Sequence, residues 1–196
     1  MRKDGCIAVH DLLAHWSFKA FTEEDILVCI QNNPKDRFEL IVEGNTSWVR
    51  ARQGHNQEVA ERIDEDSLHT RIALDTAPRI AIHGTRSIVL NKIRQEELKR
   101  FDRQYIHMAT GLPSDKSVIS GCRTGTDLFL YIDVPSAIRD GFEFRRSGNN
   151  VTQTPGINGV LPFKYILRGA DKNGDVVFGT IPRSLYAIEA RWHEWN

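Results

Sequence analysis

Cysteine is scarce in this sequence. Cys6, Cys29 and Cys122 are its three cysteines and they stand far apart. No CxxC pair and no Cys/His metal spacing occurs, so a disulfide framework and a zinc module are both excluded, and an odd, sparse count fits a reducing compartment. Long apolar runs are also lacking. No window of eighteen apolar residues exists, which excludes a membrane-spanning helix. At the start, "MRKDGCIAVHDLL" has no uninterrupted apolar stretch, because Asp4, His10 and Asp11 break it, so it does not read as a signal peptide. Net charge is absent as well, with 26 Lys+Arg against 26 Asp+Glu. That balance hides an asymmetry. Residues 1–70 hold 8 basic against 13 acidic side chains, and residues 71–196 hold 18 against 13. Such a chain is not a basic coat for nucleic acid, and any polyanion contact must come from a few placed arginines.

What is present is ordinary globular material, 40% hydrophobic and 27% charged, over a length that suits one domain or two small ones. Residues 1–59 read as one unit. "IAVHDLLAHW" is a short strand turning into a short helix. "FTEEDILVCIQNN" is the clearest helix, with Thr22 as N-cap, Glu23, Glu24 and Asp25 loading the first turn, and an apolar stripe of Ile26, Leu27 and Ile30. "RFELIVEG" and "SWVRARQ" alternate as a hairpin around "GN". Helices followed by a hairpin suggest a small winged-helix module. Residues 60–78 are acidic, then polar, and read as a linker ending at Pro78. Residues 79–196 read as an α+β lobe of many short strands. "RIAIHGT" is a strand with a glycine turn, and "RSIVLNKIRQEELKRF" an amphipathic helix with Ile88, Ile93 and Leu98 on its apolar side. "YIHMAT" and "DLFLYIDV" are buried strands, "EFRRSGNNVTQTPG" is a hairpin, and "YILRG" and "VVFGTI" form a last pair. The tail carries Trp192 and Trp195, with no role legible from their pattern.

Three stretches could carry chemistry. "VRARQGHN" sets Arg50 and Arg52 two apart on a strand, hence on one face, with His55 close behind. The pair could handle phosphate or could be a solvated strand end. In "HGT", Gly84 lets a ligand approach the backbone, with His83 and Thr85 offering donors and acceptors beside it. His107 stands in a strand of its own. "ISGCRTGTD" combines Ser120, Gly121 and Arg123 as a plausible anion-binding nest, although Arg123 could equally be a surface arginine.

Taken in order, "KDRFEL", "VRARQGH", "IHGT", "QYIHMATGLP", "ISGCR", "LYIDV", "GFEFRRSGNNV" and "TPG…GVLPFKYI" resemble the NAD-dependent RNA 2′-phosphotransferase family that acts on tRNA. The resemblance runs from about Arg2 to Ile166. It implies an N-terminal winged-helix lobe and a C-terminal ADP-ribosyltransferase-like lobe. It also implies a two-step reaction without metal. An RNA 2′-phosphate attacks the nicotinamide-bearing ribose carbon of NAD, and nicotinamide leaves. The ribose 2″-hydroxyl then attacks the phosphorus, releasing RNA with a free 2′-hydroxyl and ADP-ribose 1″,2″-cyclic phosphate. Arg50 matches the arginine that grips the 2′-phosphate, and Arg123 the one that assists the second step. His83, Gly84, Thr85, His107, Ser120 and Gly121 match NAD-site positions. Arg52 stands where many members have asparagine. The family's first motif, an Arg-His pair on a leading helix, should precede "MRKDGCIAVHDLL"; the chain lacks it, and the expectation is an incomplete sequence of reduced activity. The implied partners are NAD and tRNA with an internal 2′-phosphate, and the implied setting is an intracellular monomer of the cytoplasm or nucleus. Alternatives are a non-catalytic binder of NAD or RNA ends, and an ADP-ribosyltransferase that caps terminal phosphates.

Overall fold

The computed structural model describes residues 1–111 and 125–182. Its architecture is mixed α and β, with short helices and several small antiparallel sheets. β1 (Ile7–Ala8) leads directly into α1 (Val9–Ala14), and α2 (Glu23–Gln31) follows. Thr22 closes the start of α2 with a capping box: its hydroxyl accepts from the Asp25 N–H, and the Asp25 carboxylate accepts from the Thr22 N–H at 2.8 Å. β2 (Phe38–Glu43) and β3 (Thr46–Ala51) form the expected hairpin, with Gly44 at φ 59 in its turn, and β1 pairs on the far side of β3. Alternation places Val49 and Ala8 in the interior, while Glu39 and Arg50 stand opposite one another.

Residues 60–78, expected as a linker, carry structure. After α3 (Gln57–Ala60) the chain buries Ile63, then enters β4 (His69–Arg71), whose His69 is 4% exposed, and buries Ile72. β4 is an edge of the sheet β4-β9-β10-β7, formed with β9 (Arg145–Ser147), β10 (Thr152–Thr154) and β7 (Ile106–Met108).

The second four-stranded sheet has the order β13-β12-β8-β5, from β5 (Ile80–Thr85), β8 (Leu128–Asp133), β12 (Ile166–Asp171) and β13 (Val176–Gly179). β8 is central and apolar on both sides. Leu128, Leu130 and Ile132 join the larger core with Ile106, Met108 and Phe144, whereas Phe129 and Tyr131 meet Ile80, Ile82 and Ile181 on the opposite face. Each such side chain contributes about 1.5–3 kcal/mol on burial, which is why this strand anchors the sheet. β5 also bridges the residue just after β7, Ile82 to Ala109, so the two sheets meet beside "HGT".

The helix expected over 86–101 is shorter than its apolar pattern suggested. α4 (Leu90–Glu96) follows a 3-10 turn, and Glu97, at φ 68, swings the chain away from it. Leu98 therefore leaves on β6 (Leu98–Lys99), which pairs with β11 (Val160–Leu161). Ile93 and Leu98 are buried as expected, but Ile88 is 82% exposed because it lies in the turn rather than on the helix face. α5 (Val134–Arg139) is capped by the Asp133 carboxylate at the end of β8.

Candidate active site

Arg50 and Arg52 share one carboxylate. Glu39 accepts from Arg50 Nε at 2.6 Å through Oε2, and its Oε1 lies 3.4 Å from Arg52 Nη1. The hairpin register makes this possible by setting Glu39 directly across from Arg50. Beyond Glu39 the two arginines diverge. Arg50 Nη1 donates to the carbonyls of Asp4 (3.0 Å) and Ser67 (3.4 Å), so its guanidinium is aimed at the 64–69 segment. Arg52 reaches Asp36 at 3.3 Å and lies over Gly148 in the β9–β10 turn, where an added Cβ would come within 2.7 Å of its Nη1. The contacts of Arg50 use Nε and Nη1, which fixes the plane of the guanidinium.

The neighbourhood of Arg50 is built of paired charges and a buried imidazole. His69 is buried, its ring edge-on to Tyr105 at 5.5 Å, and its Nε2–H donates to the Arg52 carbonyl, since a carbonyl can only accept. Burial, then the nearby His55, Arg145 and Arg50, hold the His69 imidazole down at about 4. Burial likewise lowers His55. Arg145, 12% exposed in its side chain, is balanced by Glu143 (2.5 Å), Asp66 (2.6 Å) and Glu65 (3.8 Å). Glu65 also accepts from the Tyr105 hydroxyl, and its carboxyl is raised, chiefly by burial.

A second group gathers where the two four-stranded sheets meet. His83, on β5, sits with Nδ1 2.9 Å from the His107 carbonyl on β7, so Nδ1 carries the proton. Gly84 and Thr85 complete the half-buried end of β5, paired with Phe129 and Leu128. The structure thus joins His83, Gly84, Thr85 and His107, and holds Arg50 separately on the N-terminal hairpin. Ser120, Gly121 and Arg123 lie outside the described residues, as do Cys122, Trp192 and Trp195. Among the described residues no cluster of three or more His, Cys, Asp or Glu side chains could hold a metal ion, and no helix is long and apolar enough to cross a membrane.

Sequence reasoning missed Gln153. It is fully buried on β10, directly opposite His107 on β7 and Arg145 on β9, and neither Oε1 nor Nε2 has a hydrogen-bond partner. A buried unpartnered carboxamide costs about 1–3 kcal/mol. Glu39, His69 and Arg145 were missed as well. Only Glu39 left a signal, its place in the alternation opposite "VRAR".

A family model described as RNA 2'-phosphotransferase, Tpt1 / KptA family, matches residues 1–156. The chain is 36% identical over 181 residues to a protein of Schizosaccharomyces pombe named putative tRNA 2'-phosphotransferase, covering 90% of this chain and 47% of that protein. It is 38% identical over 175 residues to tRNA 2'-phosphotransferase 1 of Danio rerio, covering 86% of this chain and 75% of the relative. Against tRNA 2'-phosphotransferase 1 of Homo sapiens it is 37% identical over 169 residues, 84% of this chain and 65% of the relative. The chain therefore spans about half the length of the first of these relatives and about two thirds to three quarters of the others. With a match over most of its length and relatives that agree in name, the chain belongs to the RNA 2'-phosphotransferase, Tpt1 / KptA family.

Proposed function

We propose that the protein removes an internal 2′-phosphate from RNA, a ligated tRNA in the first instance, by transferring it to NAD. One observation carries the reading: Arg50, at the position the family resemblance assigns to the phosphate grip, is a half-buried guanidinium held in one plane by Glu39 and two carbonyls. The N-terminal hairpin unit then serves as a winged-helix-like lobe that offers Arg50 to the RNA, and the β5/β7 region belongs to an ADP-ribosyltransferase-like lobe that takes NAD.

The residues at the sheet junction suit a nucleotide co-substrate. Gln153 offers an unpartnered donor and acceptor on the face that bears His107, matched to the carboxamide and hydroxyls of NAD. His83 is locked into one tautomer by the His107 carbonyl, so its ring presents a fixed pattern to a ligand. NAD supplies an electrophilic ribose carbon and a nicotinamide leaving group. This chain's residues align the phosphate for attack and hold its charge; cationic donors placed in advance are worth most where water is excluded. Arg123, by the same resemblance, stabilises charge as the ribose hydroxyl displaces the RNA oxygen. The test is incubation with NAD and an oligonucleotide bearing one 2′-phosphate. Dephosphorylated RNA, nicotinamide and ADP-ribose 1″,2″-cyclic phosphate are expected, and RNA that keeps its phosphate at long times overturns the reading.

A further inference from the structure

A cavity of about 460 Å³ opens beside the Arg50 neighbourhood. Glu61, Glu65, Arg100, Gln104, Tyr105 and Asn158 line it, together with the backbone of the 155–159 loop. Phe101 follows the lining residue Arg100 in the chain and is not itself part of the lining. This phenylalanine is 70% exposed and has φ 53, in the left-handed region that a bulky residue rarely occupies. The loop is tied in place: Arg100 Nη1 donates to the Arg103 carbonyl at 2.6 Å, the Arg100 N–H donates to the Gly159 carbonyl at 3.0 Å, and Asn56 bridges Arg103. Folding gains nothing from presenting an aromatic ring to water on a strained backbone, which directs attention to a ligand.

Its chemistry narrows the ligand. Two carboxylates against one guanidinium make the cavity unsuited to a phosphate. Two amides that both donate and accept, beside those carboxylates, match the edge of a heterocycle bearing amino groups. An exposed ring one residue along from a lining arginine is the kind of platform on which unpaired bases stack. Its position narrows the ligand further. Glu65 lines the cavity while Ser67, two residues on, accepts from Arg50, and Asn56, which bridges Arg103, ends the "VRARQGHN" stretch that carries Arg50.

We propose that this cavity receives a base of the RNA strand adjacent to the phosphate gripped by Arg50, with Phe101 as its stacking partner. The proposal rests on the reading of Arg50 given above. It makes the enzyme sensitive to whether the nucleotide beside the phosphate is unpaired, and it favours bases with an exocyclic amine.

The test uses short RNAs with one internal 2′-phosphate, intact or abasic at each flanking position, with binding followed by fluorescence anisotropy. Phe101→Gly suits it because glycine accepts the positive φ and relieves the strain, so folding is not at issue. Asn158→Ala is the second variant. Both should bind the intact RNA more weakly, for Phe101→Gly roughly 5- to 100-fold. The abasic RNA should bind wild type as weakly as the variants bind intact RNA, and NAD affinity by calorimetry should not change. Unchanged RNA affinity in both variants overturns the proposal. So does a parallel loss of NAD affinity, which would give the cavity to the adenine of NAD. Failure of the broader reading looks different: wild-type protein would then transfer no phosphate from any of these RNAs.

Discussion

Glu39 and Arg50 stand face to face across the β2–β3 hairpin, and the carboxylate that orients Arg50 at 2.6 Å also steadies Arg52. Glu39 thus works as a bracket that keeps the planar guanidinium in one orientation. Arg50→Ala should lower phosphate transfer by about 10²–10³, the usual loss when one charged donor to a developing oxyanion is removed. Arg50→Lys should recover only part of that, because lysine keeps the charge and loses the fork. Single-turnover rates on protein shown by circular dichroism to be folded decide the matter. Near-normal rates in both variants would leave Arg50 a structural residue.

The family resemblance gives Arg123 a part in the second chemical step, so on the proposed function its loss should have a different kinetic signature. Arg123→Ala is expected to spare attack on the NAD ribose more than the later attack on phosphorus, and ADP-ribosylated RNA should accumulate. Gel analysis of radiolabelled RNA shows this directly. Slow product formation with no such species would end the division of labour between the two arginines.

His69 makes stability depend on acid. The unfolded chain takes up a proton at this residue near 6.5, the folded protein near 4. Above about pH 6.5 neither state is protonated there, and His69 adds no pH dependence. As pH falls through the window, the unfolded chain gains a proton that the folded one refuses. Stability then drops by about 1.4 kcal/mol per unit and levels off below the folded value. The groups facing His69 act in the same sense: Arg50, Arg145 and His55 all disfavour its charge. Glu65 opposes it, since its raised carboxyl contributes stability that is lost as pH rises through its folded value. His69→Gln keeps an N–H for the Arg52 carbonyl and cannot titrate. Its loss of stability between about pH 7 and pH 5 should be smaller than wild type by about 2 kcal/mol. Parallel unfolding curves for the two proteins would refute the assignment.

Gln153 predicts a trade between stability and binding. Leucine at this site removes two unsatisfied buried atoms, worth about 1–3 kcal/mol. Thermal unfolding of Gln153→Leu should therefore rise by roughly 2–10 °C, while NAD binds about tenfold more weakly, as expected for one lost hydrogen bond pair. A fall in Tm would show that the carboxamide supports the fold rather than the ligand.

Much of this architecture is legible before any coordinates. Thr22 followed by Asp25 announces the start of α2, "GN" between alternating runs gives the β2–β3 hairpin, and the unbroken apolar stretch Leu128–Ile132 gives the central strand. The illegible parts share a cause: they depend on partners far away in sequence. β4 is three residues long, with two of them exposed, so only pairing with β9 makes it a strand. Glu97 ends α4 by adopting a positive φ that no propensity indicates, which is why Ile88 fits a helical stripe in the sequence and solvent in the structure. Gln153 sits between two threonines and looks like any polar hairpin residue until the register sets it against His107. For the candidate site, the stretches around Arg50 and His83 could be marked out in the sequence and Glu39 leaves a trace in the strand alternation, whereas Glu65, Asp66 and Glu143, which balance Arg145, leave none.

The pairing of β4 with β9 has a kinetic consequence. The N-terminal hairpin closes through local contacts, but β4 must wait for a strand that lies beyond β5, β7 and β8 in the chain. Loop-closure entropy makes such pairings slow relative to local ones. Since Arg50 and Arg52 both make contact with the 64–69 segment that β4 holds, the junction between hairpin and sheet should be among the last regions to gain native order on refolding, and amide protection there should lag behind that of β8.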